Sequence, residues 1–363
     1  MTRSSKHLDR RQVLGGLAAA GLTSFASSAR AQAPRFDGVT LRVATFGGGW
    51  DKAVHKYAGV KLEELGGKVE YVTAPPRDNL AKLIAAKGRA APFDVVEMGD
   101  LTWVDTYDAG FLQKINLNNI PNRKDLLPSQ SDDWKVASWV TQEGIVYNAE
   151  KFAAAGIPKP ERYKDLLNPK LAGKLCMIDI SQAGAAQFLV GASMDDGGSM
   201  TNIEPALKLV KAANPYQFWK VGAQAVTLMN AGDVWASTMH AGFAVQMRRA
   251  GLPVAFTHPK VGPSKRGLLK EGWLGVVKGT PVARAAEFFI NEYVSAETQL
   301  GLALERGVVP VNGAARAKLS SDPVLKEMFL LSEAEVANMV SVDFNVFNLD
   351  DATQRWSRMI SSR

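Results

Sequence analysis

LRVATFGGGW, residues 41–50, is a short β-prone run that breaks into three consecutive glycines. It reads as a strand entering a loop where backbone, rather than side chain, must come close to something. The residues that follow, Asp51 to Leu65, carry apolar positions at helical spacing. Strand, glycine loop and helix start bring free N–H groups and the positive end of a helix dipole to one point, which suits a carboxylate or another anion. Gly47, Gly48, Gly49 and Trp50 are therefore candidate ligand contacts. The run lacks both the GxGxxG spacing of a dinucleotide site and the Lys-Ser/Thr of a phosphate loop, so it does not call for a nucleotide. A plain strand-to-helix turn would carry the same pattern.

Downstream, strand and helix alternate. Lys68 to Val72 is strand-like, Asn79 to Lys87 is helical with Asp78 as its expected N-cap, and Phe93 to Glu97 is an apolar strand before Gly99 and Asp100. Leu101 to Ala109 reads as a further helix. Strand, crossover helix, strand predicts a parallel sheet, whose ligands sit outside the carboxyl ends of its strands. Three loops share that edge: Gly47 to Trp50, Ala74 to Arg77, and Met98 to Asp100. After a Pro/Asn/Asp/Ser-rich stretch, Val136 to Tyr147 reads as a long strand leaving this lobe. A second α/β run follows, with strands at Lys174 to Ile180, Asp233 to Met239 and Val254 to Thr257, and Trp273 to Val277 carries the chain back. Two crossings predict an α/β fold of two discontinuous lobes with a hinge and an interlobe cleft. The expected boundaries are 32–140 and 271–315 for the first lobe, 141–270 for the second, and 316–363 for C-terminal helices packing on the second.

Upstream, Arg3, Lys6, Arg10 and Arg11 precede an apolar stretch from Val13 to Ala26 and then small residues. That is the order of a signal peptide, and the stretch is too short and too broken to span a bilayer. The Arg10–Arg11 pair resembles a twin-arginine export signal. Ala29 and Ala31 place cleavage before Gln32, so residues 1–31 are excluded from the fold. The formal charge of +7 then falls to 38 basic against 35 acidic residues, a net of +3, and nucleic acid is not implied as a partner. The 332 remaining residues exceed what one core usually accommodates. Cys176, the only cysteine, lies in the apolar run LCMI and reads as buried and inert.

FGGGW, FDVVEMGD, GIVYN, YKDLLNPKLAGKL, NAGDVWASTMHAG, KEGWLGVVKGT and ERGVVPVN, in that order, resemble the periplasmic solute-binding proteins of ABC importers, in the branch holding the spermidine/putrescine receptors. The resemblance implies a type II periplasmic binding fold that closes on one small solute and hands it to an inner-membrane permease, without catalysis or cofactor. Monomer is the default for that class. It also implies pocket positions. Where the polyamine receptors carry two carboxylates this chain has Ile180 and Ala183, where they have a pocket tryptophan it has His240, and where they have Trp-x-Asp it has Leu269, Lys270 and Glu271. A diammonium ligand would lose its partners, at a cost of several kcal/mol in a closed cleft.

The remaining polar set suits an anion or zwitterion. The glycine loop, Arg77, Ser181 and Gln182 at another helix start, and His240 are expected to hold a carboxylate, and Glu271 and Asp100 an amine. An amino acid or ω-amino acid would use both groups. Each has a simpler alternative: Arg77 a solvated charge, His240 a core histidine, Glu271 a rim partner of Lys270 or Arg266, Trp50 and Trp273 packing. Two other classes compete. A hydrolase needs a nucleophile with a base, and no G-x-S-x-G elbow is present. A ferric-ion carrier of this fold relies on adjacent tyrosines, which are absent, as are HExxH and CxxC.

Overall fold

The opening run forms strand β1, Thr40–Thr45, which pairs in parallel with β2, Lys68–Thr73, and β3, Val95–Gly99. This computed structural model describes residues 34–362. The expected export signal and its cleavage site before Gln32 lie outside the described residues. The helix after the glycines runs as Trp50–Val54, a π-helical turn His55–Gly59, and Val60–Glu63. Gly59 is forced by crowding, since a Cβ there would lie 2.5 Å from the Tyr71 Oη. The helix between β2 and β3 is Pro76–Ala85, and its N-cap is Pro75 rather than Asp78. The fixed φ of proline suits a first helical position, and Asp78 falls inside the first turn instead.

β4, Leu112–Gln113, is followed by β5, Val136–Asn148, whose thirteen residues are all buried. β6, Leu175–Ile178, β7, Gln217–Trp219, and β8, Ala236–His240, form a second parallel group. β9, Val254–Thr257, pairs with the far end of β5, and β10, Lys260–Val261, makes a hairpin with β11, Lys265–Arg266. β12, Leu268–Val277, begins five residues earlier than its apolar run implied. Lys270 and Glu271 interrupt the hydrophobic pattern there, yet both pair across to β5. β13, Val340–Ser341, adds to the start of β12.

One mixed sheet results, in the order β2-β1-β3-β12-β5-β8-β6-β7. Two parallel three-stranded groups are thus joined through antiparallel β12 and β5. β5 pairs with β12 over Val136 to Glu143 and with β8 over Glu143 to Tyr147, so one continuous strand belongs to both groups. Helix Ala185–Asp195 lies against β12, where a Cβ on Gly191 would come within 2.5 Å of Leu268. The last helix, Leu349–Ser361, packs on helix Glu204–Ala213, with Arg355 paired to Glu204 at 3.0 Å and Trp356 stacked edge-on against Phe218 at 5.0 Å. Cys176 is buried, and burial pushes its thiol pKa up to about 12. Among the described residues no helix is long and apolar enough to cross a membrane.

Candidate functional site

A cavity of about 790 Å³ opens at the ends of the parallel strands. The three loops expected to share one edge all line it, through Gly47 and Trp50 after β1, Pro75 to Arg77 after β2, and Gly99 to Thr102 after β3. The facing wall comes from the second strand group, Ile180 to Ala183 after β6 and Ala186. Between them, β5 contributes Trp139 and Thr141 and β12 contributes Lys270. Arg306 and Val308 close one side, and Phe344, Leu349, Asp350 and Thr353 from the C-terminal segment close another.

Of the residues singled out in the sequence, Trp50, Arg77, Gly99, Asp100, Ser181 and Gln182 line this cavity; Gly48, Gly49, His240 and Glu271 do not. Gly49 instead caps the following helix at φ 89°, and the Gly48 carbonyl accepts from Arg306 Nη2 at 3.3 Å. His240 caps helix Ala241–Arg249, its Nδ1 accepting from the Gly242 N–H at 3.1 Å, and its ring stacks on Phe243 at 4.2 Å. Burial pulls its pKa down to about 4. A neutral imidazole in that place supplies no charge to an anion.

Glu271 is displaced by parity. Successive side chains on a strand face opposite ways, so with Lys270 turned into the cavity Glu271 points to the other face. There it accepts from Gln130 Nε2 at 3.4 Å, and burial raises its pKa. Lys270 pairs in register with Thr141 of β5, which shares its face. The expected acid at this strand is therefore replaced by a base.

Lys270 Nζ stands 3.8 Å from the buried Glu143 carboxylate, which also accepts from the Thr141 hydroxyl at 2.9 Å. The same ammonium lies 5.7 Å from the centroid of the Trp139 ring. Trp139, Trp50 and Phe46 form an aromatic wall, with centroids 5.9 to 6.3 Å apart and edges meeting faces. Trp139 can lie flat on β12 only because residue 272 is glycine, where a Cβ would sit 2.2 Å from the indole Cε2. Asp100, at the start of helix Asp100–Asp108, accepts from the Glu271 N–H at 3.0 Å and from Gln187 Nε2 at 3.0 Å. Burial, with Glu271 nearby, pushes its pKa up to about 8, so near neutral pH it is mostly uncharged. The cavity lining therefore carries three cations, Arg77, Lys270 and Arg306, and two acids, Asp100 and Asp350, with Lys270 also facing the buried Glu143.

Phe46, Trp139, Thr141, Lys270 and Arg306 were not among the candidate ligand contacts. Lys270 and Thr141 meet through parity on two paired strands, which needs a register that the sequence alone does not supply. Arg306 and the C-terminal residues left no local signal. Among the described residues the lining contains no His, Cys or Tyr. Among the described residues no group of three metal-binding side chains converges.

Residues 52–327 match the sequence profile of the bacterial extracellular solute-binding proteins. No curated protein is matched by sequence. Among solved structures, the chain is similar to an ABC transporter from Clostridium perfringens, at 21% identity and TM-score 0.73, over 88% of this chain and 99% of that one. It is also similar to a GABA receptor, at 20% identity and TM-score 0.70, over 88% and 97% of the two chains. A third similar structure is a candidate spermidine/putrescine ABC transporter from Listeria monocytogenes, at 19% identity and TM-score 0.68, over 89% and 99%.

Proposed function

The chain belongs to the bacterial extracellular solute-binding proteins and has their two-lobed type II fold, and on that premise we propose that it closes on a small organic carboxylate. Proteins of this kind bind a small molecule for an ABC transporter; they are not enzymes. The ligand is an organic acid, amino acid or ω-amino acid, held in the cavity at the ends of the parallel strands and handed to an inner-membrane permease. The protein works as a monomer in the periplasm after residues 1–31 are removed. β5 and β12, through which the two strand groups are joined, form the hinge, and the lobes on either side follow the boundaries expected above. Ligand favours closure because only the closed state offers both walls at once.

The observation that carries this reading is the parity of β12, with Lys270 inside the cavity and Glu271 outside it. Arg77, at the positive end of helix Pro76–Ala85, adds a second cation. The GABA receptor among the similar structures is named for a ligand with an amine and a carboxylate. The Listeria protein is named for polyamines, and the aromatic wall here would attract an ammonium as well as a hydrocarbon chain. Lys270 already fills that place over Trp139, and two further cations stand nearby, so a polyamine meets repulsion.

A thermal-shift and calorimetric screen of carboxylates, amino acids, ω-amino acids, putrescine and spermidine tests the reading. A ligand at a hundred times its Kd adds about 2.7 kcal/mol of stability. Lys270→Met should weaken the carboxylate hit by roughly 10- to 100-fold, the worth of one charged hydrogen bond at about 1.5–3 kcal/mol. A polyamine hit with silent carboxylates overturns it.

A further inference from the structure

Glu97 is 1% exposed, lies outside the cavity lining, and makes no ion pair among the described residues. A lone buried carboxylate is expensive unless its oxygens are fully engaged. Here four donors converge on it from four separate elements. The Trp50 and Trp139 indole Nε1–H groups donate at 2.9 Å each, to Oε2 and Oε1 respectively. The Tyr293 hydroxyl donates to Oε1 at 2.7 Å, and the Thr45 hydroxyl donates to Oε2. Burial raises its pKa and the four hydrogen bonds act against that rise; the two indole N–H groups can only donate, so they need its oxygens as acceptors.

The consequence lies on the other side of the rings. An indole carries one hydrogen-bond donor, and in both pocket tryptophans that donor is turned away from the cavity and used up. What Trp50 and Trp139 show to a ligand is ring carbon alone. We infer that Glu97 is a positioning residue that fixes both indoles with their N–H edges buried, so that the cavity recognises a carboxylate whose body beyond the acid group is hydrocarbon rather than hydroxylated. A polyhydroxylated acid brings oxygens to this wall and finds no donor there, leaving them desolvated. A straight alkyl or aryl chain loses nothing and gains contact with three aromatic rings. The ligand half of this inference rests on the carboxylate reading above; the positioning half does not.

The experiment pairs nuclear magnetic resonance of the indole N–H groups with binding of hexanoate and gluconate, two six-carbon acids differing in their hydroxyl groups. In the wild-type protein the Trp50 and Trp139 indole protons, assigned through Trp50→Phe and Trp139→Phe, should resonate downfield and exchange slowly with solvent. Ligand should leave those protons bonded. Glu97→Gln replaces one acceptor oxygen with an NH₂ that faces donors, so both signals should move upfield and exchange at least tenfold faster. Tyr293→Phe removes a donor that also neighbours Trp50 but leaves both Glu97 oxygens as acceptors, so both signals should stay slow to exchange and move far less than in Glu97→Gln. Hexanoate should bind at least tenfold tighter than gluconate to the wild type, and Glu97→Gln should erase that preference. Indole signals unchanged in Glu97→Gln, or disturbed equally by Tyr293→Phe, overturn the positioning role. Gluconate binding as tightly as hexanoate overturns the ligand class. If neither acid binds, the hydrocarbon-bodied ligand class fails, the carboxylate reading is judged by the wider screen above, and the indole signals still decide the role of Glu97, in the unsubstituted protein even where Glu97→Gln fails to fold.

Discussion

Gly272→Ala adds one methyl group and should disturb the whole aromatic wall. A Cβ at 272 would stand 2.2 Å from Trp139 Cε2, 2.4 Å from its Nε1 and 2.6 Å from the Ser138 Oγ. Carbon atoms settle at about 3.5–4.0 Å, so the indole must retreat by roughly 1 Å or more. Its N–H bond to Glu97 is 2.9 Å long, and a retreat of that size carries the pair past the range of about 2.7–3.2 Å that defines a real bond. Overpacking costs about 1–3 kcal/mol and a lost hydrogen bond to a charged group about 1.5–3 kcal/mol. Allowing for partial relaxation, the sum is about 3 kcal/mol, or about 4 °C in a chain of this length. Urea denaturation reads the loss, and near-ultraviolet circular dichroism reads the displaced tryptophan. Gly47→Ala is the control, because its Cβ would meet only Thr73, at 3.4 Å. A Gly272→Ala protein with the wild-type urea midpoint and tryptophan dichroism would refute the packing argument.

Two pH effects of opposite sign should also be measurable. Burial, aided by Arg266, pulls the His258 pKa down to about 3, and its Nε2 is bonded to the Gln142 Oε1 at 2.7 Å. Below pH 6.5 the unfolded chain takes up a proton that the folded one refuses, so stability falls as the pH drops, by up to about 1.4 kcal/mol per unit. His258→Gln keeps a donor and loses the titration, so urea midpoints at pH 5 and pH 7 should lie closer together than in the wild type; an equal gap sinks the assignment. Asp100 behaves in reverse. Its folded pKa is raised, so between about pH 4 and 8 the folded form holds a proton the unfolded form has released, and stability falls as the pH rises. Asp100→Asn mimics the protonated acid, and the Gln187 Oε1, which has no partner among the described residues, can accept from its new amide once the glutamine flips. The variant should gain on the wild type from pH 5 to pH 8, and a constant difference between the two curves would contradict the shift.

Local chemistry made the frame legible. Gly47 to Gly49 end a strand, Pro75–Pro76 and Gly99 mark the next two loops, and alternation of strand and helix put all three on one edge, where they are found. What failed was parity. Lys270 and Glu271 are neighbours, and which of them enters the cavity depends on the pairing of β12 with β5 and on the register shift between Gly272 and Trp273. Neither is encoded in the local pattern. His240 failed for another reason: its position before a helix gives its Nδ1 a backbone partner at once, and a capping histidine looks the same in sequence as a ligand-binding one. Trp139 and Thr141 were hidden because β5 is buried throughout and shows no alternation to say which face is which.

The segment from Phe344 to Thr353 lines the same cavity as Phe46, although the last helix is anchored elsewhere, on Glu204–Ala213. One side of the cavity is thus built by a segment that takes no part in the sheet. Substitutions there can reshape what is recognised without disturbing a single strand, which makes this segment the place where a new preference is most cheaply acquired.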